Sequence, residues 1–225
     1  MNILVFSDTH LYLPFDTKKF NFLKKIISKS DQVIINGDFF DNYMISFDEF
    51  VNSPWNKLFP LLKTKKTVYI FGNHDQEKFS DKRTEQFSDS QKIRYKLIIN
   101  KKKFFFEHGH ITRPTLDTKF NFSREIKHYG MLVGHIIRNL FVKIFGKIAV
   151  QILFGHLNKG SKIYINKQYN QKNDEFYIIG HNHFGEVDET KCFAASGMIL
   201  YGFAQYLTID TSSAKITLHE EWYDR

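Results

Sequence analysis

The first third of the chain alternates short apolar runs with helical patterns. Apolar residues spaced three and four apart over residues 20–27 predict a helix. A second helical pattern covers 47–62, where Pro54 and Pro60 are expected to interrupt it. The apolar runs that flank these patterns predict buried strands at residues 3–7, 32–36 and 67–71. Strands and helices in alternation favour an α/β sheet system.

The second half begins with a predicted hairpin, 95–99 and 104–107, and then changes its period. From about residue 122 to 157 the pattern is helical, and one stripe of it is apolar: Val133, Ile136, Ile137, Leu140, Phe141, Ile144, Phe145 and Ile148. The opposite side of this helical pattern carries Arg138, Asn139, Lys143 and Lys147. Strand patterns return at 176–179, 192–195, 205–209 and 215–220. We therefore expect one domain over 1–225, with a basic helical insertion at 111–173.

The charge of the chain is concentrated in that insertion. The formal net charge is +8. Residues 120–173 hold nine Lys or Arg and a single acid, Glu125, whereas the remainder holds 23 residues of each sign. Attraction of an anionic partner would therefore begin at the insertion.

Cysteine content and hydropathy bear on the compartment. Cys192 is the single cysteine, so a disulfide within the chain is excluded and a reducing compartment is favoured. The start of the sequence lacks the basic segment of a signal peptide, and the apolar region 129–158 is broken by charged residues. We expect a cytoplasmic protein, with peripheral attachment at the inner membrane face as an open alternative.

Polar clusters follow five of the predicted strands, where ligand sites of α/β sheets collect. Each cluster alone is a weak signal, but together they supply carboxylate, carboxamide and imidazole groups. Such donors suit a pair of divalent cations that clamp the oxygens of a displacement at phosphorus. The lone cysteine excludes a zinc site built from thiolates. The candidate metal ligands are Asp8, His10, Asp38, Asn73, His108, His181 and His183.

The order of these motifs resembles the calcineurin-like metallophosphoesterase superfamily. The matching blocks are Asp8-x-His10, Gly37-Asp38-x-x-Asp41, Gly72-Asn73-His74-Asp75, His108 and Gly180-His181-x-His183. The resemblance implies a four-layer α/β/β/α sandwich of two mixed sheets flanked by helices. It also implies a phosphoesterase that uses two divalent metal ions, with Mn expected and Fe or Zn as alternatives.

The resemblance also implies roles for these residues. Asp8, His10 and His183 would hold the first metal, and Asn73, His108 and His181 the second, with Asp38 bridging both. A hydroxide between the metals would attack phosphorus. His74 would be the general acid that protonates the leaving oxygen, and Asp41 would orient His74.

Further polar residues have two interpretations each. His110 either supports the metal ligands or lines the cleft. Asp75 is expected to cap the next helix rather than to act in catalysis. The remaining histidines are expected to be surface or core residues: His128, His135, His156 and His219.

The sequence departs from the motifs of one subfamily, and these departures disfavour protein phosphatase activity. Asn42 follows Asp41, and Phe71 precedes Gly72, where the Ser/Thr protein phosphatases of the superfamily have Arg. The layout most resembles the bacterial UDP-2,3-diacylglucosamine pyrophosphatases, whose insertion receives acyl chains at the membrane surface. Those enzymes often have Arg at the position of His74. A different phosphodiester, phosphomonoester or pyrophosphate therefore stays open, as does a metal-bound scaffold without activity.

The sequence allows three interpretations of the insertion. It is a lid whose apolar stripe packs on the body, a lipid-facing or acyl-binding cap, or a dimerisation surface. The expected partner is a phosphorylated small molecule, a nucleotide or a lipid-linked substrate, with peripheral membrane contact through the cap as an option. Nucleic acid is not favoured, and steep salt dependence of binding would be its signature.

Overall fold

The computed structural model describes residues 1–113 and 123–224 and contains two facing β-sheets. Helices α1 to α6 are Thr17–Ser28, Phe47–Asn52, Phe59–Thr64, Arg124–Phe145, Lys147–Phe154 and Leu157–Gln168. Strands β1 to β6 are Asn2–Phe6, Gln32–Asn36, Val68–Ile70, Ser90–Lys92, Arg94–Ile99 and Lys102–Glu107. Strands β7 to β12 are Glu175–Ile179, Glu186–Asp188, Phe193–Ala195, Ile199–Leu200, Phe203–Asp210 and Lys215–Trp222. Short 3-10 helices occupy Pro54–Leu58, Glu77–Phe79, Lys82–Gln86 and Glu189–Lys191.

The first sheet has seven strands within the described ranges, in the order β10-β11-β1-β2-β3-β4, and β12 pairs with β11. Strands β1 to β4 are parallel, with Val5 opposite Ile34, whereas β11 runs antiparallel to β1. Because β1, β2 and β3 are parallel, the loops that follow them leave the sheet at the same edge. That edge carries the first three polar clusters of the sequence.

The second sheet has five strands in the described part of the chain, in the order β5-β6-β7-β9-β8. Strands β6, β7 and β9 are parallel, and Ile178 pairs with both Phe106 and Ala194. The loops after β6 and β7 carry the remaining two polar clusters. Both sheets thus present their parallel carboxyl ends to the site.

Apolar side chains bind these layers together. Ile3, Val5 and Ile34 from the first sheet pack against Phe106 and Ile178 from the second. Helices α1 to α3 cover the outer face of the first sheet. Helix α6 covers the outer face of the second through the buried Ile165. The four-layer α/β/β/α arrangement with two mixed sheets is therefore confirmed.

The insertion is a run of three helices from Arg124 to Gln168, longer than the sequence pattern indicated. Residues 114–122, which belong to the predicted insertion, lie outside the described residues. Gly146, with φ of 60°, separates α4 from α5 because this backbone conformation cannot continue a helix. Of the helices in the described ranges, none combines the length and apolar content that a membrane crossing requires.

The insertion packs on the body through a different set of residues from the one expected. Val142, Ala149, Val150 and Phe154 are buried against side chains that include Leu200. The predicted stripe instead faces away: seven of its eight residues are exposed, and Phe141 is half-buried. The alternative in which the stripe packs on the body is therefore wrong. An amphipathic pattern identifies an apolar face but not the surface that it meets.

The helical pattern of residues 47–62 is divided into three short helices, as Pro54 and Pro60 predicted. Each proline stands in the first turn of the helix that follows a break, where a missing N–H costs little. Strands β4, β8 and β10 have only two or three residues each, too few for a period to show in the sequence.

Candidate metal centre

Five loops bring the predicted ligands together at the shared edge of the sheets. They follow β1, β2, β3, β6 and β7. Five of the seven candidate ligands are buried, with at most 1 % of their surface exposed: Asp8, His10, Asp38, Asn73 and His108. The other two, His181 and His183, are half-buried. The clusters are thus a single buried polar site open on one side.

One group of donors consists of Asp8, His10 and His183. One candidate ligand atom from each residue lies within 4.8 Å of the others. His183 Nε2 is 3.1 Å from Asp8 Oδ1, and His10 Nε2 is 4.0 Å from the same oxygen. Within the described part of the chain, His10 Nε2 makes no hydrogen bond although it is buried. Such an atom fits a cation, since buried polar atoms otherwise have partners.

A second group consists of Asp38, His108 and His181, again with ligand atoms within 4.8 Å of one another. His108 Nε2 lies 3.1 Å from Asp38 Oδ2 and 3.0 Å from Asn73 Oδ1. Asp38 Oδ2 is also 3.7 Å from His10 Nε2 of the first group. The Asp38 carboxylate therefore lies between the two groups, where a bridging ligand would stand.

Hydrogen bonds to protein acceptors orient three of the imidazoles. His10 Nδ1 is 3.1 Å from Asp41 Oδ2, His108 Nδ1 is 2.9 Å from the Asn36 carbonyl, and His181 Nε2 is 2.9 Å from the Arg113 carbonyl. With these nitrogens as donors, the other nitrogen of each ring is left as the atom available to a metal. This arrangement is usual around ligating histidines.

The electrostatics of the site fit the protonation states that metal binding requires. Burial, with the neighbouring His74, lowers the pKa of His10 to about 4, and burial with the neighbouring His108 lowers the pKa of His181 to about 3. Neutral imidazole is the form that binds a metal. Burial opposes the charge of Asp38, but the adjacent His108 and other histidines hold the pKa of this carboxyl well below its usual range.

His108 behaves differently because oxygens surround it. Burial alone would lower its pKa, but the carboxylates of Asp38 and Asp8 raise the pKa of His108 to about 9. The proton on His108 Nε2 thus lies between this nitrogen and the side-chain oxygens of Asp38 and Asn73. A divalent cation can satisfy the same three atoms.

A third group contains His10, Asp41 and His74. Asp41 is fully buried, and its Oδ1 lies 3.1 Å from His74 Nδ1 and accepts a hydrogen bond from the backbone N–H of Tyr43. The ring of His74 stands edge-on to the ring of His10, with centroids 4.6 Å apart. Asp41 thus contacts one predicted metal ligand and the predicted general acid at once.

The backbone of the site is unusual. Five of the seven candidate ligands have positive φ, between 41° and 62°: Asp8, His10, Asp38, His181 and His183. Non-glycine residues rarely adopt this region, and such conformations concentrate at functional sites. Two glycines allow the close packing that results. A Cβ on Gly37 would lie 2.3 Å from His108 Nδ1, and a Cβ on Gly72 would lie 2.2 Å from Asp38 Oδ1.

Asp75 does not cap a helix, contrary to expectation. The next helix begins after Gln76 without a side-chain cap. Asp75 is instead fully buried and accepts hydrogen bonds from the backbone N–H groups of Asp38, Phe39 and Gly72, at 3.0, 2.7 and 2.6 Å. It ties the loop after β2 to the loop after β3 and so fixes the position of Asp38.

His135 is the site residue that sequence reasoning missed. It is buried, its Nε2 lies 3.9 Å from Asp41 Oδ2, and its Nδ1 lies 3.0 Å from the Tyr201 hydroxyl. Its ring centroid is 6.0 Å from that of His10. The sequence did contain one signal for this role: His135 is a polar residue that lies between Val133 and Ile136 of the apolar stripe. The three other histidines expected at the surface or in the core lie outside the metal groups: His128, His156 and His219.

The insertion also supports the loop after β7. Asn182, between the two histidines of that loop, donates from Nδ2 to Asn158 Oδ1 and to Ser161 Oγ, at 3.0 and 2.9 Å. The ring of Phe154 packs on His183 with centroids 5.1 Å apart. His110 lies beside His108, with ring centroids 5.7 Å apart, in keeping with either of its two interpretations.

Solved structures of other proteins resemble the chain in fold. They include a novel archaeal phosphodiesterase, 14 % identical, with 98 % of this chain and 100 % of that chain covered and a TM-score of 0.49. The phosphoesterase YfcE of E. coli is 14 % identical, with 100 % of both chains covered and a TM-score of 0.45. Vacuolar protein sorting 29 of Cryptosporidium parvum is 13 % identical, with 100 % of this chain and 98 % of that chain covered and a TM-score of 0.46. Similarity at this level carries no information on activity.

The family of the chain is shown by its sequence match to a family model. No curated protein sequence matches the chain. The family model described as calcineurin-like phosphoesterase matches residues 1–185, which include all five ligand-bearing loops. That family uses divalent metal ions, and the His/Asp groups of this site are suited to them. The chain therefore belongs to the calcineurin-like phosphoesterase family and is a metal-dependent phosphoesterase.

Proposed function

We propose that the protein hydrolyses a phosphodiester, a phosphomonoester or a pyrophosphate bond with two divalent cations held in this site. The observation that carries the proposal is the meeting of two His/Asp groups at the buried carboxylate of Asp38. Shared carboxylates are what a pair of adjacent cations requires. The proposed enzyme is cytoplasmic, since a single cysteine suits a reducing compartment.

The proposed ligands divide as the two groups do. Asp8, His10 and His183 hold one cation, and Asn73, His108 and His181 hold the other, with Asp38 between them. When bound, the cations supply Lewis-acid activation of water and neutralise charge on the phosphate oxygens. Carboxylate, carboxamide and imidazole donors without a thiolate suit Mn, with Fe and Zn as alternatives.

The chain's own proton chemistry centres on His74. We assign it the transfer of a proton to the leaving oxygen, supported by its position against the ring of His10 and its contact with Asp41. Asp41 holds the ring of His74 in one orientation through the contact of its Oδ1 with His74 Nδ1. We add His135 as a positioning residue, because it approaches the opposite oxygen of Asp41 from the insertion.

A more specific alternative is a pyrophosphatase of the UDP-2,3-diacylglucosamine type that acts at the membrane surface. The apolar face that α4 exposes on the side away from the site favours a substrate that lies at a membrane surface. The retained His74 favours ordinary acid catalysis on another ester. The metal-bound scaffold without activity that the sequence left open is not favoured, because the chain belongs to a phosphoesterase family.

The test uses the full chain, stripped of metal and then given Mn²⁺. We expect Mn-dependent hydrolysis of bis-p-nitrophenyl phosphate or p-nitrophenyl phosphate, and the preferred ester separates a diesterase from a monoesterase. Metal content is measured on the same samples. Bound metal without hydrolysis of these esters, or of nucleotide and lipid-linked diphosphates, would contradict the proposed hydrolysis. Failure to bind metal would overturn the proposal.

A further inference from the structure

The insertion leaves a large apolar surface uncovered. Eleven large apolar side chains between residues 126 and 152 are exposed: Ile126, Tyr129, Leu132, Val133, Ile136, Ile137, Leu140, Ile144, Phe145, Ile148 and Ile152. We refer to these eleven residues as the outward face. Their exposure shows that no described residue covers them. Soluble proteins rarely expose contiguous apolar patches of this extent without a binding role.

The orientation of α4 is fixed by its other side. His135 and Val142, seven residues apart and therefore on the same side of the helix, are buried against the body. Ile136, Ile137, Leu140 and Ile144, which are 60, 61, 60 and 63 % exposed, stand on the opposite side. The helix is anchored to the catalytic centre and cannot turn this face inward without losing those contacts.

The charge around the outward face selects among possible occupants. The insertion carries all the excess positive charge of the chain. Lys143, at the border of the face, is exposed, whereas Lys147 is exposed but ion-paired with Glu220 of the body. A second copy would bring one cationic insertion against another, and like-charge repulsion opposes that contact. A convex helix face is also a poor site for a single small apolar ligand, which binds in a concave pocket.

We propose that the outward face binds the surface of an anionic lipid bilayer. The helix lies parallel to the bilayer with its apolar residues among the acyl chains and the exposed Lys143 at the headgroups, as amphipathic interfacial helices do. Because His135 stands on the opposite side of the same helix, the metal centre lies about one helix diameter, roughly 10 Å, from the interface. The site can then act on phosphate groups at the membrane.

The test measures sedimentation of the full chain with vesicles and does not depend on hydrolysis. The vesicles contain phosphatidylcholine alone or phosphatidylcholine with phosphatidylglycerol. The variant Ile137→Ser/Ile144→Ser removes two residues that are 61 and 63 % exposed. Its matched control is Ile93→Ser/Ile98→Ser, since both of these isoleucines are 61 % exposed on the body. Circular dichroism spectra and thermal unfolding transitions like those of the native chain verify that both variants are folded.

We expect binding to the anionic vesicles that weakens with salt. We also expect a loss of affinity of roughly tenfold for each isoleucine removed from the outward face, with the control unchanged. Equal binding to both kinds of vesicle would overturn the assignment to an anionic surface. Absence of binding to anionic vesicles at low salt would overturn the proposal altogether. A dimer that the first variant converts to a monomer, without vesicle binding by the native chain, would assign the face to a second copy instead.

Discussion

Replacement of His74 by Asn separates acid catalysis from metal binding. The backbone N–H of residue 74 donates to Asp38 Oδ1 at 2.8 Å, and this hydrogen bond does not depend on the side chain. Asp41 keeps its contacts with His10 and with the backbone N–H of Tyr43. The variant loses one charge-assisted hydrogen bond, which costs about 1.5–3 kcal/mol of stability. The fold and both principal metal groups are therefore expected to remain.

The effect on turnover depends on the leaving group. General acid catalysis contributes roughly 100- to 10,000-fold, and most of this is needed when the departing oxygen is strongly basic. We expect His74→Asn to lower kcat by that factor for an alkyl phosphodiester, and by about tenfold or less for bis-p-nitrophenyl phosphate. The assay compares kcat for the two esters and measures the metal content of the same preparations.

The control is His219→Asn, the same replacement at a histidine on β12 outside the metal groups. It should leave both rates unchanged. An equal loss of rate for the two esters would refute the role of His74 as an acid. Loss of one equivalent of metal would show instead that the group of His10, Asp41 and His74 holds a cation.

The remaining predictions concern metal binding, positioning and pH. Asp38→Ala should lower the affinity for both metals, measured by titration of the stripped protein, and loss of one metal alone would contradict a bridging role. His135→Gln should lower kcat with KM and metal content nearly unchanged. It should also retain more activity than His135→Ala, because Gln keeps a polar group at this position. An equal loss of kcat in both variants would argue against positioning through a polar contact. Burial lowers the pKa of Lys19 from 10.5 to about 8, so the unfolded chain holds more protons between those values, and this group's contribution makes stability rise with pH there. Lys19→Met should remove that rise. At neutral pH the lost burial penalty should stabilise the protein by at most roughly 3 kcal/mol, and the lost hydrogen bond to the Thr9 carbonyl should offset about 1 kcal/mol of this. Chemical denaturation at a series of pH values measures both effects.

Much of the fold could be predicted because its signals are local. The strand of residues 32–36 has the predicted bounds, and the hairpin of β5 and β6 lies within one residue or two of them. Burial on both faces makes such strands continuous apolar runs, which a short window of sequence reveals. The candidate ligands were also found from sequence, because each follows such a run directly and parallel strands end at a common edge.

The details of the site were decided by contacts between distant residues. Asp75 has the sequence context of a helix cap, yet its three hydrogen bonds lead to backbone groups of two loops. The left-handed backbone of Asp8, His10 and Asp38 is imposed by the surrounding packing rather than by residue type. No local pattern distinguishes these conformations.

The sequence by itself determined the longer strands, the residues that follow them and the amphipathic character of the insertion. Only the tertiary structure decided which side of α4 meets the body. His135 and Val142 lie buried against it, whereas Ile137 and Ile144 face outward. Helical periodicity fixes which residues share a face, because that depends on the backbone alone. The neighbour of each face depends on how the helix docks, and docking is set by contacts that lie far apart in the chain.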